Sequence, residues 1–293
     1  MKIPFQCLAI ALASLLFAAL AQAQNLFVSS GSGGQGPGGN RYIFDFTPSG
    51  ARSTFANAGS SGLAFNSAGD LFAAEGGPDP GDGNILEFTP NGGGSTFATG
   101  LWFPVGLAFN SAGNLFAADW ESGNICEFTP NGGSSTFAFV SGGPEDLAFD
   151  SAGNLFVTDD NGSILEFTPN GGSSTFASGL SSPDGLAFNS AGDLFVADWG
   201  SGNIYEFTPN GTRSTFASGL GGVYDVAVNS AGDLFCTSGY IYEFTPDGTE
   251  SIFAGDLDSP TFMAFEPIPE PSTWALVGLG LASILASLRH RKA

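Results

Sequence analysis

Apolar residues fall along this chain in short runs, and the runs come in fixed order. "GLAF" ends at Phe65, Phe109, Phe149 and Phe188, then recurs as "DVAV" at Val228 and "FMAF" at Phe265. "(N/D)LF" ends at Phe27, Phe72, Phe116, Phe156, Phe195 and Phe235. "(E/D)FTP" ends at Pro48, Pro90, Pro130, Pro169, Pro209 and Pro246. "(S/T)(T/I)FA" places its Phe at 55, 97, 137, 176, 216 and 253, in steps of 42, 40, 39, 40 and 37 residues. Each run is rich in Phe, Leu and Ile and bounded by Gly, Asn, Asp, Ser or Pro, which reads as a strand. Four strands per unit of about 40 residues, six times over, predict an all-β six-bladed propeller.

The ends of the repeat fit a closed ring. The first copy starts at its second strand, "NLFVSS", and an orphan "FMAF" at 262–265 follows the sixth. That strand should complete the first blade and remove the open edges. The turns "NSAGD" and "TPNGG" supply residues tolerant of positive φ. They barely vary and belong to one face of the ring, because chain direction alternates along a blade. The opposite face carries the connections that vary, among them "DWESGN", "DDNGS", "DWGSGN" and "GLWFPVG". Variation on loops held by a rigid scaffold is where binding is expected. The candidates there are Trp102, Phe103, Trp120, Trp199 and Tyr240, which suit stacking on sugar rings or gripping another protein.

Composition sharpens this. Of 29 Phe, 23 occupy the four repeated strand positions, so they read as core. Net charge is −21, and the span between the two ends holds 27 acids against 3 bases, Arg41, Arg52 and Arg213. Such a surface repels phosphate backbones and excludes nucleic acid as a partner. Cys126 and Cys236 fall in opposite blades, so two free thiols are expected. The only histidine, His290, lies in the tail, which leaves no His-based triad, zinc cluster or His general base.

The ends speak to destination. Residues 1–23 read as a signal peptide, with Lys2, an apolar stretch and Ala21-Gln22-Ala23 as the cleavage site. Residues 24–266 are the expected propeller and 267–293 a tail with a membrane helix over 274–288. Fifteen helical residues cover roughly 22 Å, short of a bilayer core but extendable through the flanks. Pro269-Glu270-Pro271, the glycine-containing apolar run and the basic Arg289-His290-Arg291-Lys292 resemble the PEP-CTERM sorting tail. That resemblance implies an exosortase-type membrane protease as partner. It also implies transient membrane anchoring, and display on the surface or in the exopolysaccharide of a Gram-negative bacterium. The alternative is an ordinary single-span anchor.

The body, with units such as "PDGLAFNSAGDLFVADWGSGNIYEFTPNG", resembles NHL-repeat propellers and, more loosely, the gluconolactonase group. In that group, acids and Asn just before the first strands hold a divalent metal at the channel mouth. The aligned positions here are Ser61, Val105, Glu145, Asp184, Tyr224 and Phe262. Glu145 and Asp184 match the pattern, and two carboxylates plus water would hold Ca, Mg or Zn weakly. Asp184 also reads as a turn residue after Pro183. Acids ending the second strands, such as Asp119, Asp159 and Asp198, read as loop caps. The sequence motifs specify no other cofactor and no catalytic residue. The leading expectation is a surface-sorted binding or matrix protein with a polysaccharide or surface-protein ligand. The alternatives are a metal-dependent lactonase-type hydrolase using Glu145 and Asp184, and a structural matrix filler.

Overall fold

The structure is a computed structural model that describes residues 24–30, 41–58, 61–77 and 79–268. Among them, six four-stranded antiparallel sheets form the six blades. In the first blade the last strand of the chain, Pro260–Phe265, is innermost and pairs with Leu26–Ser30. Phe27 lies opposite Ala264 and Val28 opposite Met263, so the closing strand is the expected one, extended back to Pro260. Gln24 reinforces the seam: its Nε2 donates to Glu266 O (2.8 Å) and its Oε1 accepts from Ser230 N (2.8 Å) of the sixth blade.

Each "NSAGD" turn is built by its first residue. In the second blade Asn66 Oδ1 accepts from Ala68 N and Asp70 N, both at 2.9 Å. Gly69 takes φ +89°, a left-handed conformation that favours glycine. Asn110, Asp150, Asn189 and Asn229 do the same in the next four blades.

Phenylalanine locks blade to blade. Phe72 meets Phe97 of its own blade and Phe109 of the next edge-on, both with centroids 5.0 Å apart. The same triplet recurs at Phe116, Phe156, Phe235 and Phe27. At the fifth–sixth boundary Val228 stands where the other units have Phe, and Phe195 meets only Phe216. Edge-to-face pairs contribute about 0.5–1.5 kcal/mol beyond area burial. These contacts account for the phenylalanine content. Cys126 and Cys236 are free, as their blades require, and burial pushes their thiols up to about 11 and 12. No helix among the described residues is long and apolar enough to cross a membrane. The expected signal peptide at 1–23 and the helix at 274–288 lie outside the described residues.

Candidate functional site

The inner strands of four blades are bulged where they enter, that of the first blade included. Pro144 pairs with Asp159 and Leu147 with Val157, so Glu145 and Asp146 together face Thr158 alone. The same shift frees Asp184 and Gly185 after Pro183, and Val105 and Gly106 after Pro104. Bulges re-aim side chains and are common beside functional sites. Here they gather acids from neighbouring blades at the mouth of the central channel.

Burial and mutual repulsion raise the titration of these carboxyls toward and above neutral pH. Glu145 is pushed up to about 9, first by desolvation, then by Asp184 and Asp160; its protonated carboxyl also hydrogen-bonds Asp160. Asp184 rises to about 7 through burial and the charges of Asp160, Asp146 and Asp198. Asp146 and Asp225, both buried, also rise, chiefly from desolvation. Buried like charges disfavour ionisation.

Asp146 and Asp225 are structural as well. Asp146 N donates to Thr158 Oγ1 (3.0 Å), whose hydroxyl donates to Asp184 O (2.6 Å) of the next blade; Asp146 Oδ2 accepts from Leu186 N there (3.0 Å). Asp225 and Thr237 repeat this unit toward the first blade, through Thr261 O (2.6 Å) and Met263 N (2.6 Å). Three of the four blades lacking the acid carry Gly at its position and Ala at the threonine's, as Gly106 with Ala118 and Gly185 with Ala197; the first blade carries Phe262 and Ser29 instead. A Cβ on Gly106 would sit 2.5 Å from Asp146 Oδ1, and one on Gly185 would collide with Asp225 Oδ1. The six-residue alignment missed both acids because each sits one residue further on, Asp146 inside the bulge and Asp225 at the start of its strand. The paired changes "PDG" to "PED" and "VAD" to "VTD" were the available signal.

The aromatic candidates divide into three groups. Trp102 and Trp120 are exposed on the third blade, and Phe103 is half-buried: its ring packs over Gly76 and lies edge-on to Trp120 at 6.2 Å. Phe103 therefore braces the rim, a correction to its expected exposure. Trp120 Nε1 donates to Asp160 Oδ2 (2.8 Å), so the aromatic rim and the acidic mouth are joined through Asp160 and Glu145. Trp199 is exposed over Gly222 and beside Tyr224, with centroids 6.4 Å apart. Tyr240, also exposed, contacts Tyr242 instead. Tyr224 and Asp160 belong to the site although neither was singled out as a binding residue.

The acids closing the second strands are caps. Asp119 Oδ1 accepts from Trp102 N (3.0 Å) and Phe103 N (2.6 Å), and Asp198 Oδ1 from Ser181 N (2.9 Å) and Ser182 N (2.7 Å). Asp159 Oδ1 caps Ser163 N (2.9 Å). Asp119 and Asp198 anchor the loops that carry the tryptophans. Asp184, by contrast, is a strand-bulge residue facing other acids. Among the described residues no three His, Cys, Asp or Glu side chains are grouped to hold a metal ion. A hard divalent cation prefers six or more oxygens. Glu145 and Asp184, both raised by burial and by the acids around them, are not part of any such grouping and do not fit such a centre.

The PEP-CTERM protein-sorting motif matches residues 267–292. The chain is a six-bladed β-propeller with a PEP-CTERM sorting tail. That tail marks an exported, surface-sorted protein of a Gram-negative bacterium and implies processing by an exosortase-type membrane protease. A strictosidine synthase-like N-terminal segment also matches residues 140–167, within the fourth blade. Among curated proteins none matches the chain. Solved propellers superpose at low identity. One, from a nidogen/laminin complex, is 18% identical with a TM-score of 0.70, over 84% of this chain and 99% of that one. Virginiamycin B lyase from Staphylococcus aureus is 16% identical with a TM-score of 0.60, over 84% and 96%. A gluconolactonase from Xanthomonas campestris is 19% identical with a TM-score of 0.62, over 77% and 82%. These likenesses establish the fold.

Proposed function

We propose that this propeller is a surface-displayed binding protein whose variable-loop face takes a neutral glycan, the exopolysaccharide into which the sorted chain is delivered. The carrying observation is the continuity from exposed Trp120 through Asp160 and Glu145 to Asp184. Sugar rings stack on aromatic faces, and protonated carboxyls both donate to and accept from hydroxyls. The exported form starts near Gln24, and cleavage at Pro269-Glu270-Pro271 releases it from the membrane. Alanine at Trp120 or Trp199 should weaken binding of a neutral exopolysaccharide at least about tenfold in calorimetry, as loss of an aromatic anchor does. Undiminished affinity in the double variant would remove the proposal.

The adjacency of Glu145 and Asp184 favours a second reading, a lactonase-type hydrolase, in line with the gluconolactonase that shares the fold. It ranks lower because the donor set does not fit a metal. The lyase likeness adds no activity: that enzyme is inactivated when a histidine is replaced by alanine, and the only histidine here is His290 of the tail. Lactone hydrolysis that Asp184→Asn abolishes would reverse the ranking.

A further inference from the structure

On the face opposite the acidic mouth, cavities of about 540, 290 and 540 Å³ open at the second–third, third–fourth and fourth–fifth blade boundaries. They are copies of one another. One wall carries a third-strand glutamate, in turn Glu87, Glu127 and Glu166, and the other a turn proline, Pro130, Pro169 and Pro209. Between them lie partly exposed phenylalanine rings, such as Phe97 with Phe109 and Phe176 with Phe188. Glu127 takes one hydrogen bond on Oε1, from Asn114 Nδ2 (2.7 Å). At the first–second boundary the equivalent acid is Asp45, beside the Glu266 carboxyl, and its buried Oδ1 has no hydrogen-bond partner among the described residues.

A buried acceptor left without a donor is costly. A donor arriving from outside would remove that cost. The chemistry that fits has an apolar stem and a cationic head, because Lys and Arg bury their methylenes on apolar surface and keep the charge at a polar edge. The chain's own arginines behave this way at the same ends of the blades: Arg52 lies over the Phe44 ring and Arg213 over that of Tyr205, each 5.0 Å from the centroid. A net charge of −21 draws cations to the whole surface, and the clefts give them places to seat. An amino sugar carries its amine on a hydroxylated ring and offers no apolar stem to the phenylalanines. We infer that the interblade clefts of this face dock lysine and arginine side chains of a basic partner protein, stem against phenylalanine and head on the third-strand carboxylate. Because the clefts repeat around the ring, one basic segment engages several of them and gains avidity.

The test is titration of the exported chain with fluorescent octalysine in ~0.15 M salt, where long-range attraction is screened. The Glu87→Gln/Glu127→Gln/Glu166→Gln variant should lose at least about tenfold in affinity, since charge-assisted hydrogen bonds are the strong ones. A variant of equal net charge on the opposite face, Asp79→Asn/Asp82→Asn/Glu121→Gln, should keep the parent affinity. Octa-acetyl-lysine, which keeps the stem but not the charge, should not bind. Equal losses in both triple variants would reduce the effect to net charge and overturn the inference. So would absence of octalysine binding, or binding of a chitosan oligomer in its place. If the glutamate triple melts below the parent, the single Glu166→Gln variant should show a smaller loss that Asp82→Asn on the opposite face lacks, and equal effects of the two would overturn the inference.

Discussion

At the scale of single residues, the carboxyls of the channel mouth set an unusual pH dependence. An unfolded Asp or Glu titrates near 4. In the fold Asp184 titrates at about 7 and Glu145 at about 9, with Asp146 and Asp225 raised as well. The folded state therefore holds more protons than the unfolded one between those values. By linkage, stability is fully present below about pH 4 and falls as pH rises through 7 and 9. The melting temperature should drop from pH 5 to pH 9, and the Glu145→Gln/Asp184→Asn variant should flatten that slope. A melting temperature that climbs with pH would show these acids ionised in the fold. The Cys236 thiol, buried and raised to about 12, should resist thiol reagents at pH 8 until the chain unfolds. Rapid labelling of the native chain at that position would contradict its burial.

At the scale of elements, the blades are held by copied aromatic contacts, and the one broken copy offers an internal comparison. Phe156 touches Phe176 and Phe188, whereas Phe195 touches Phe216 alone. Phe156→Ala should cost about 3–5 kcal/mol. Phe195→Ala should cost less by about one aromatic pair, ~0.5–1.5 kcal/mol, read by denaturant unfolding. Equal costs would mean that the rings act only as bulk. This layer was legible in sequence, because period and composition repeat and each phenylalanine column is a strand position. The site was half legible. Trp120, Trp199 and Glu145 stood out as differences among copied loops. Asp146, Asp160, Asp225 and Tyr224 did not, because their roles come from bulges and cross-blade contacts that no strand pattern displays. Phe103 looked exposed on a loop, and only the packing over Gly76 reveals it as a brace.

At the scale of the whole molecule, closure and function meet in the same ring. The strand Pro260–Phe265 joins the two ends of the propeller, and Asp225 reaches it through Met263 N. A chain ending at Asp258 leaves both neighbouring edges open, so it should lose the single sharp melting transition of the full ring. A truncated chain melting as sharply at the full-length temperature would refute closure by that strand. The central claim is that the acidic mouth serves hydroxyl-rich polymers and is not a cation centre. The most direct measurement is thermal melting of the exported chain at pH 7 with neutral exopolysaccharide, or with calcium, magnesium, zinc or EDTA. The account predicts a rise with the glycan that Trp120→Ala/Trp199→Ala loses, and no metal effect specific to the mouth. A metal-dependent rise that disappears in Glu145→Gln/Asp184→Asn would contradict it.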